Sequence, residues 1–237
     1  MAHARLSTVG AFCALVTVAG FVVGIALMAS SGVQVLVPET GKHAVQWLND
    51  AEKAGDLFVA GATVVVFAGL VALGAFLGFY DAVRKAGPVL VVAPAAGIAG
   101  MVLVTISHAT PIAIALELAP AYKAANETTR ASLVVTENTL AQFCQVMNYF
   151  GDALVWGVAT PLFAFAGLET RAFPRWIGWL GLVAAVFAGW IGLFSPISSV
   201  ADGLSTIGFF AFFVFFAAVG VALLRRRPVA AALQPAS

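Results

Sequence analysis

This chain of 237 residues contains six apolar stretches, each of about twenty residues or more. They cover 8–28, 58–80, 89–108, 140–168, 176–194 and 204–224. A helix needs about 20 apolar residues to cross a bilayer, and in lipid it satisfies its own backbone hydrogen bonds, which an open strand cannot do. The sequence therefore predicts an all-α fold, a polytopic integral membrane bundle of six transmembrane helices in a single domain over 1–237. The fourth stretch exceeds one crossing, so it either tilts or places its first turns in the outer interface.

Basic residues alternate with these stretches. They precede the first stretch, separate the second from the third and the fourth from the fifth, and follow the sixth: Arg5, Arg84, Lys85, Arg171, Arg175, Arg225, Arg226 and Arg227. These segments contain eight Lys or Arg and only two acids, Asp81 and Glu169. Cytoplasmic loops of membrane proteins carry an excess of Lys and Arg. The alternation predicts that the N and C termini are both cytoplasmic.

Composition excludes several classes of protein. The chain is 62% hydrophobic and 10% charged, whereas a soluble domain carries about 25% charged residues. The net charge of +1 argues against a nucleic-acid partner, because nucleic acid requires a basic face.

The two cysteines, Cys13 and Cys144, are predicted near opposite membrane faces, too far apart for a disulfide. Membrane lipids, a partner membrane protein or a second copy of the chain are the expected partners.

The two long outer connections, 29–57 and 109–139, are predicted to be structured loops. In the first, Val45 and Leu48 recur at helical spacing, which predicts a helix on the membrane surface with Trp47 at headgroup level. In the second, an apolar piece at 112–118 follows Pro111. It either continues the third helix past a kink or re-enters the outer leaflet.

Glycines recur four residues apart in two stretches. The pairs are Gly20 with Gly24 and Gly74 with Gly78. Small residues at this spacing let helices approach closely. The pattern predicts tight packing inside the bundle, with a dimer face as the alternative.

A polar stripe follows the fourth stretch. Asp152 is the ionisable residue that lies well inside a span, and Gln142, Gln145 and Asn148 precede it at spacings of three, three and four. These spacings place them on one helix face. Intramembrane ionisable residues are costly and mark functional candidates. The stripe either bonds to neighbouring helices or lines a water-filled pocket open to the outside, and the predicted ligand-binding residues are Gln145, Asn148, Tyr149, Asp152 and Trp156.

Three residues are catalytic candidates. His108 lies near the outer end of the third stretch, Glu117 follows nine residues later, and with Asp152 they provide acid–base groups. Two histidines and a carboxylate can ligate a metal, but His43, His108 and Glu117 lack a metal-binding spacing. We therefore expect no metal or other cofactor.

The second half of the chain carries a family resemblance. A Pro-Arg-Trp-x-Gly-Trp run begins at Pro174, after a long glycine-containing helix, and a final helix is closed by Arg225, Arg226 and Arg227. Over 152–227 the chain resembles a bacterial family of small multi-pass membrane proteins catalogued only as a domain of unknown function. The resemblance implies a six-helix fold in a bacterial inner membrane and brings no catalytic residues.

These observations favour a non-enzymatic role. Long connections, the polar stripe, His108 and Glu117 all fall in the outer half. The sequence predicts binding of a lipid-like or apolar small molecule, or of a partner membrane protein, through that half. One alternative is a membrane enzyme acting on a lipid or terpenoid at the outer leaflet, with Asp152 and Glu117 as acid and base. The other is a small-solute or proton-coupled transporter.

Overall fold

The computed structural model describes residues 6–33, 38 and 40–225. Within this part of the chain, regular structure is helical throughout, and six helices are long and apolar enough to cross a membrane. They are Leu6–Ser30, Gly41–Ala86, Pro88–Ala124, Glu127–Thr170, Arg175–Ile197 and Ser199–Arg225. The predicted all-α architecture with six apolar spans is confirmed. Arg5, Arg226 and Arg227 lie outside the described residues.

Eight α-helices build these six segments. They are α1 (Leu6–Ser30), α2 (Ala44–Val83), α3 (Val92–Ala113), α4 (Ala119–Ala124), α5 (Glu127–Leu154), α6 (Thr160–Thr170), α7 (Arg175–Ala184) and α8 (Ser199–Arg225). Three π-helical turns interrupt the longer segments at Ile114–Leu118, Val155–Ala159 and Ala185–Ile191. Shorter 3₁₀ turns occur at Gly41–His43, Arg84–Ala86, Pro88–Val91 and Gly192–Ile197.

Aromatic rings fill the centre of the bundle. Phe76 and Phe79 from α2, Phe163 from α6 and Phe216 from α8 are almost fully buried. The Phe79 and Phe216 ring centroids lie 4.9 Å apart, and those of Phe76 and Phe216 lie 5.5 Å apart. Lipid tails are as apolar as these rings, so close van der Waals packing, and not exclusion from water, stabilises this core in a membrane.

Both glycine pairs pack α1 against α2. A Cβ on Gly24 would lie 2.7 Å from the carbonyl oxygen of Gly61, and a Cβ on Gly78 would overlap the Cα of Gly10. Gly20 and Gly74 face the side chains of Ala68 and Cys13. These faces are occupied inside the bundle, which corresponds to the first of the two alternatives for the glycine pattern.

The first long connection differs from the predicted surface helix. Helix α2 already begins at Ala44 and runs to Val83, with one break at Gly55, whose φ of 54° and ψ of −139° are not helical. Trp47 is 3% exposed and its ring lies edge-on to Phe58 at 5.8 Å. Trp47 therefore packs inside the protein and does not face headgroups with its side chain, while its depth in the membrane stays a prediction.

The second long connection is helical as well. Helix α3 passes through Pro111 and continues, by way of the π-helical turn and α4, to Ala124. Helix α5 begins at Glu127, where the Asn126 side chain accepts a hydrogen bond of 2.9 Å from the Thr129 backbone N–H. The apolar piece after Pro111 thus continues the third helix and does not re-enter the bundle as a separate segment.

The second, third and fourth segments are much longer than one crossing. They have 46, 37 and 44 residues, whereas about 20 residues cross the hydrocarbon core. Their extended ends meet at the same end of the bundle and share a second apolar cluster, which includes Trp47, Leu48, Ala51, Ile114 and Ala119. The expected outer loops 29–57 and 109–139 are therefore mainly helical extensions with a core of their own.

The described basic residues between spans gather at the other end, which we call the basic end. The Ser7 backbone N–H at the start of α1 donates to Asp81 at 3.1 Å, and Arg84 lies 3.6 Å from the same carboxylate. Arg171 and Arg225 line one groove, and α6 contacts the turn that contains Arg84. The basic short connections thus lie together at one end, while Lys42, Lys53, Lys123 and Arg130 belong to the long connections.

Candidate functional site

Two π-helical turns shape the middle of the bundle. Val155–Ala159 and Ala185–Ile191 cross at a pair of glycines, where a Cβ on Gly189 would lie 2.6 Å from the Cα of Gly157. The Trp190 indole N–H donates to the Gly157 carbonyl at 3.0 Å, and the Thr160 hydroxyl donates to the Val155 carbonyl at 2.7 Å. Such turns occur frequently at functional sites. Here they lie directly beside the polar stripe of α5.

The five predicted ligand-binding residues line one cavity of about 220 Å³, which we call the polar cavity. They are Gln145, Asn148, Tyr149, Asp152 and Trp156. Ser195 and Ser205, from the turn after α7 and from α8, add hydroxyl groups on the opposite side. The wall contributed by the two turns between α7 and α8 also includes Gly189 and Gly192. A Cβ on Gly189 would lie 2.6 Å from the Gly157 backbone and one on Gly192 would lie 3.0 Å from the Ser205 hydroxyl, so both glycines let the surrounding segments approach closely beside the stripe.

An open groove leads toward this cavity from the end opposite the basic end. This entrance groove, of about 460 Å³, is lined by Gln142 together with Gln145, Tyr149 and Pro196, which also line the polar cavity. Gln142 itself is exposed. The polar stripe therefore runs from a surface groove into the interior.

A third space lies on the other side of the stripe. This apolar cavity, of about 130 Å³, shares Asn148, Asp152 and Trp156 with the polar cavity. Its other walls come from α1, α3, α5, α8 and the π-helical turn after α5, and they include the rings of Phe21 and Phe213. The pair Asn148 and Asp152 thus borders one cavity with many polar side chains and one that is mainly apolar.

The stripe residues have different hydrogen-bond partners. The Asn148 amide donates to Asp152 Oδ2 at 2.6 Å, within one helix. The Tyr149 hydroxyl donates to the Leu193 carbonyl at 3.0 Å, and the Gln145 amide donates to the Pro38 carbonyl at 3.3 Å. Gln145 and Tyr149 therefore tie α5 to neighbouring segments, whereas Asn148 and Asp152 pair with each other beside the cavities.

Asp152 has no cationic partner among the described residues, where the ion pairs are Arg84 with Asp81 and Lys123 with Glu52. An unpaired carboxylate inside a membrane is expensive, and water or a ligand group in the polar cavity would reduce that cost. Asp152 is therefore available to bind a polar group of a ligand in the middle of the bundle.

His108 lines the apolar cavity together with Asp152. Its Nδ1 lies 2.8 Å from the Val104 carbonyl, and its ring meets Phe21 edge-on at 6.3 Å. A carbonyl only accepts hydrogen bonds, so Nδ1 carries the proton, and Nε2 of the neutral ring is then an acceptor. His108 and Asp152 are thus brought to one cavity.

Glu117 lies apart from these two residues. It is exposed in the π-helical turn after α3, and nine residues of helix separate it from His108, about 13 Å at 1.5 Å per residue. It lines neither the polar nor the apolar cavity. Among the described residues, no group of three His, Cys, Asp or Glu side chains is arranged to hold a metal ion.

Sequence reasoning missed Glu137. It is 0% exposed, and neither carboxylate oxygen has a hydrogen-bond partner among the described residues. It lies on the buried face of α5, four residues before Ala141 and seven before Cys144. The predicted span begins at 140, so the sequence places Glu137 in the outer connection 109–139. The spacing of four and three places Glu137 on the same helix face as two small apolar residues, but the sequence does not show that this face is buried.

Comparison of the chain with protein families, curated proteins and solved structures found no match.

Proposed function

We propose that this chain is a multi-pass protein of a bacterial inner membrane, with both termini cytoplasmic, that binds a small amphipathic molecule in its outer half. The excess of Arg and Lys over acids in the short connections supports the orientation, because short connections with such an excess are retained in the cytoplasm. The bacterial compartment is proposed from the sequence resemblance of 152–227 alone. The entrance groove then opens on the outer side.

The observation that carries this proposal is that Asn148, Asp152 and Trp156 border both cavities. Cavities of about 220 and 130 Å³ are each smaller than the 300 Å³ or so at which pockets for drug-sized ligands begin. A ligand that reaches into both would place its polar group against Asp152, Asn148, Ser195 or Ser205. Its apolar part would lie among the rings of the apolar cavity. A lipid-like molecule combines a polar group and an apolar part in this way.

A proton-coupled carrier is the second candidate. It is favoured by His108 and Asp152, two titratable groups that line the same cavity. A membrane enzyme that uses Asp152 and Glu117 as acid and base has weaker support, because Glu117 is exposed and lines neither cavity. Acid–base catalysis requires both groups within hydrogen-bond reach of one substrate.

The test compares molecules that copurify with the full chain from its native membrane, identified by mass spectrometry after mild extraction. Asp152→Asn is expected to lower the retained amphipathic molecule about tenfold or more, because a hydrogen bond to a charged group contributes about 1.5–3 kcal/mol. Asp202→Asn, the same change at an exposed position on α8, is expected to retain the wild-type amount.

Equal retention by wild type and Asp152→Asn would contradict ligand binding at this site. A high-resolution map in which the α5 stripe packs dry against α7 and α8 would do the same. Loss of pH-driven uptake in Asp152→Asn, with normal accumulation of the protein in the membrane, would favour the carrier.

A further inference from the structure

A second open groove lies at the basic end, far from the cavities of the polar stripe. It has a volume of about 650 Å³ and is formed by the turn between α6 and α7, the first turns of α7 and the last turns of α8. Its walls are apolar and include Phe173, Val221 and Ala222, while Arg171 and Arg225 line its charged side. We call it the arginine groove.

The backbone at Arg171 is unusual. Its φ of 51° and ψ of 35° lie in the left-handed region, and it is the one non-glycine residue with positive φ in the described part of the chain. This position ends α6, where the Arg171 N–H bonds to the Gly167 carbonyl. Glycine is preferred at such helix ends because a Cβ is disfavoured there. The presence of a long cationic side chain at this position points to a role for that side chain.

Phe173 fixes the turn that presents Arg171. Its ring packs directly over Gly167, so closely that a Cβ on this glycine would overlap it. The same ring meets Phe215 of α8 at a centroid distance of 6.4 Å. The turn between α6 and α7 is thereby held against α8, which places Arg171 on the same groove as Arg225.

The charge of the groove is not neutralised within the described residues. Arg171 and Arg225 have no ion-pair partner there, since the ion pairs are those of Arg84 and Lys123. Both arginines are exposed, and so is Glu169 two residues before Arg171. Guanidinium groups bind phosphate oxygens in a two-pronged geometry, and basic pockets between helices at a cytoplasmic membrane face suit anionic headgroups.

We propose that the arginine groove binds one anionic phospholipid of the inner leaflet. Arg171 and Arg225 donate to its phosphate oxygens, and an acyl chain lies along Phe173, Val221 and Ala222. Trp176, which is 58% exposed and also lines the groove, lies at headgroup level, where Trp is enriched. This site is independent of the outer cavities and of the ligand proposed for them, but its assignment to the inner leaflet rests on the orientation proposed above.

The test uses the full chain in nanodiscs of phosphatidylcholine with increasing phosphatidylglycerol, and measures bound phosphatidylglycerol by native mass spectrometry. Arg171→Gly and Arg225→Gln are each expected to lower its affinity about tenfold or more, through loss of charge-assisted hydrogen bonds. Lys85→Gln is the control, because Lys85 is exposed, belongs to the turn that contacts α6, and does not line the groove. The affinity of the Lys85→Gln variant for phosphatidylglycerol is expected to stay within about twofold of wild type.

Arg171→Gly also separates a structural role from a binding role. In pure phosphatidylcholine this variant is expected to unfold about 2–4 °C higher than wild type, because glycine relieves the left-handed backbone. Wild-type affinity in Arg171→Gly and Arg225→Gln would overturn the proposal, and so would an equal loss in Lys85→Gln. Binding that occurs only after removal of 226–237 would assign the groove to the carboxyl-terminal segment and would also overturn it.

Discussion

At the scale of single residues, two acids on α5, Asp152 and Glu137, differ in how clearly the sequence predicts their environment. Asp152 interrupts an apolar stretch, so its position alone predicts a special environment. Glu137 lies among other polar residues in the sequence and yet is fully buried. Its neighbours on α5, Val134 and Leu140, pack against the second apolar cluster. Only contacts with segments far away in the chain decide that this carboxyl group loses its access to water.

Replacing Glu137 by methionine is expected to stabilise the protein. Both carboxylate oxygens lack partners within the described residues, and burying a polar group without a hydrogen bond costs about 1–3 kcal/mol. Methionine has a similar shape and no such cost. We expect the free energy of unfolding to rise by about 1–3 kcal/mol, measured by denaturant titration of the purified full chain in detergent.

Glu117→Met is the matched control for this change. Glu117 is exposed, and substitutions at exposed positions usually change stability by less than about 0.5 kcal/mol. A Glu137→Met variant that is less stable than wild type would show that the buried carboxyl group has a stabilising partner, and would refute the prediction.

At the scale of elements, the sequence predicts helices better than their interruptions. The apolar stretches predict every crossing, but the extra residue of a π-helical turn leaves no clear mark in a hydrophobic pattern. The turns at Val155–Ala159 and Ala185–Ile191 are stabilised by tertiary bonds from Trp190 and by Thr160. The helical extensions were missed for a related reason: charged residues interrupt them, and their burial depends on packing against one another.

The crossing of these two turns predicts a strong asymmetry between its glycines. A Cβ on Gly189 would lie 2.6 Å from backbone atoms of Gly157, whereas a Cβ on Gly157 would meet nothing closer than 3.7 Å. Gly189→Ala is therefore expected to destabilise the protein by about 1–3 kcal/mol, the usual cost of overpacking. The measurement is the midpoint of thermal unfolding in detergent.

Gly157→Ala is the control from the same crossing. It is expected to be neutral or slightly stabilising, because alanine has a higher helix propensity than glycine by up to about 1 kcal/mol. If Gly189→Ala proved as stable as Gly157→Ala, the close approach of the two π-helical turns would be contradicted.

At the scale of the whole molecule, charge separates along the bundle. The described Arg and Lys residues of the short connections lie at one end, and the three long helical extensions lie at the other. The orientation that we propose follows from retention of these cations in the cytoplasm. It also places the entrance groove outside and the arginine groove inside.

This orientation predicts the labelling pattern of single cysteines in intact cells. A membrane-impermeant maleimide is expected to label a cysteine at Ala125 and to leave cysteines at Lys85 and Ser237 unlabelled until the cells are opened. The background is the full chain with Cys13 and Cys144 replaced by serine, since both native cysteines are free thiols. Labelling of positions 85 and 237 on different sides of the membrane would refute the topology.

The amino-acid sequence by itself determined the number of helices long and apolar enough to cross a membrane, the helical class and the alternation of charge, because each depends on a local run of about 20 residues or on a short connection. It also placed Gln145, Asn148 and Asp152 on one helix face, since that follows from helical periodicity. Only the tertiary structure decided that this face borders two cavities, one of them shared with His108, that Glu137 is buried and that Arg171 lines the same groove as Arg225. These relations join residues from different helices, and the close approach of backbones at glycine crossings such as Gly157 and Gly189 sets which helix faces meet.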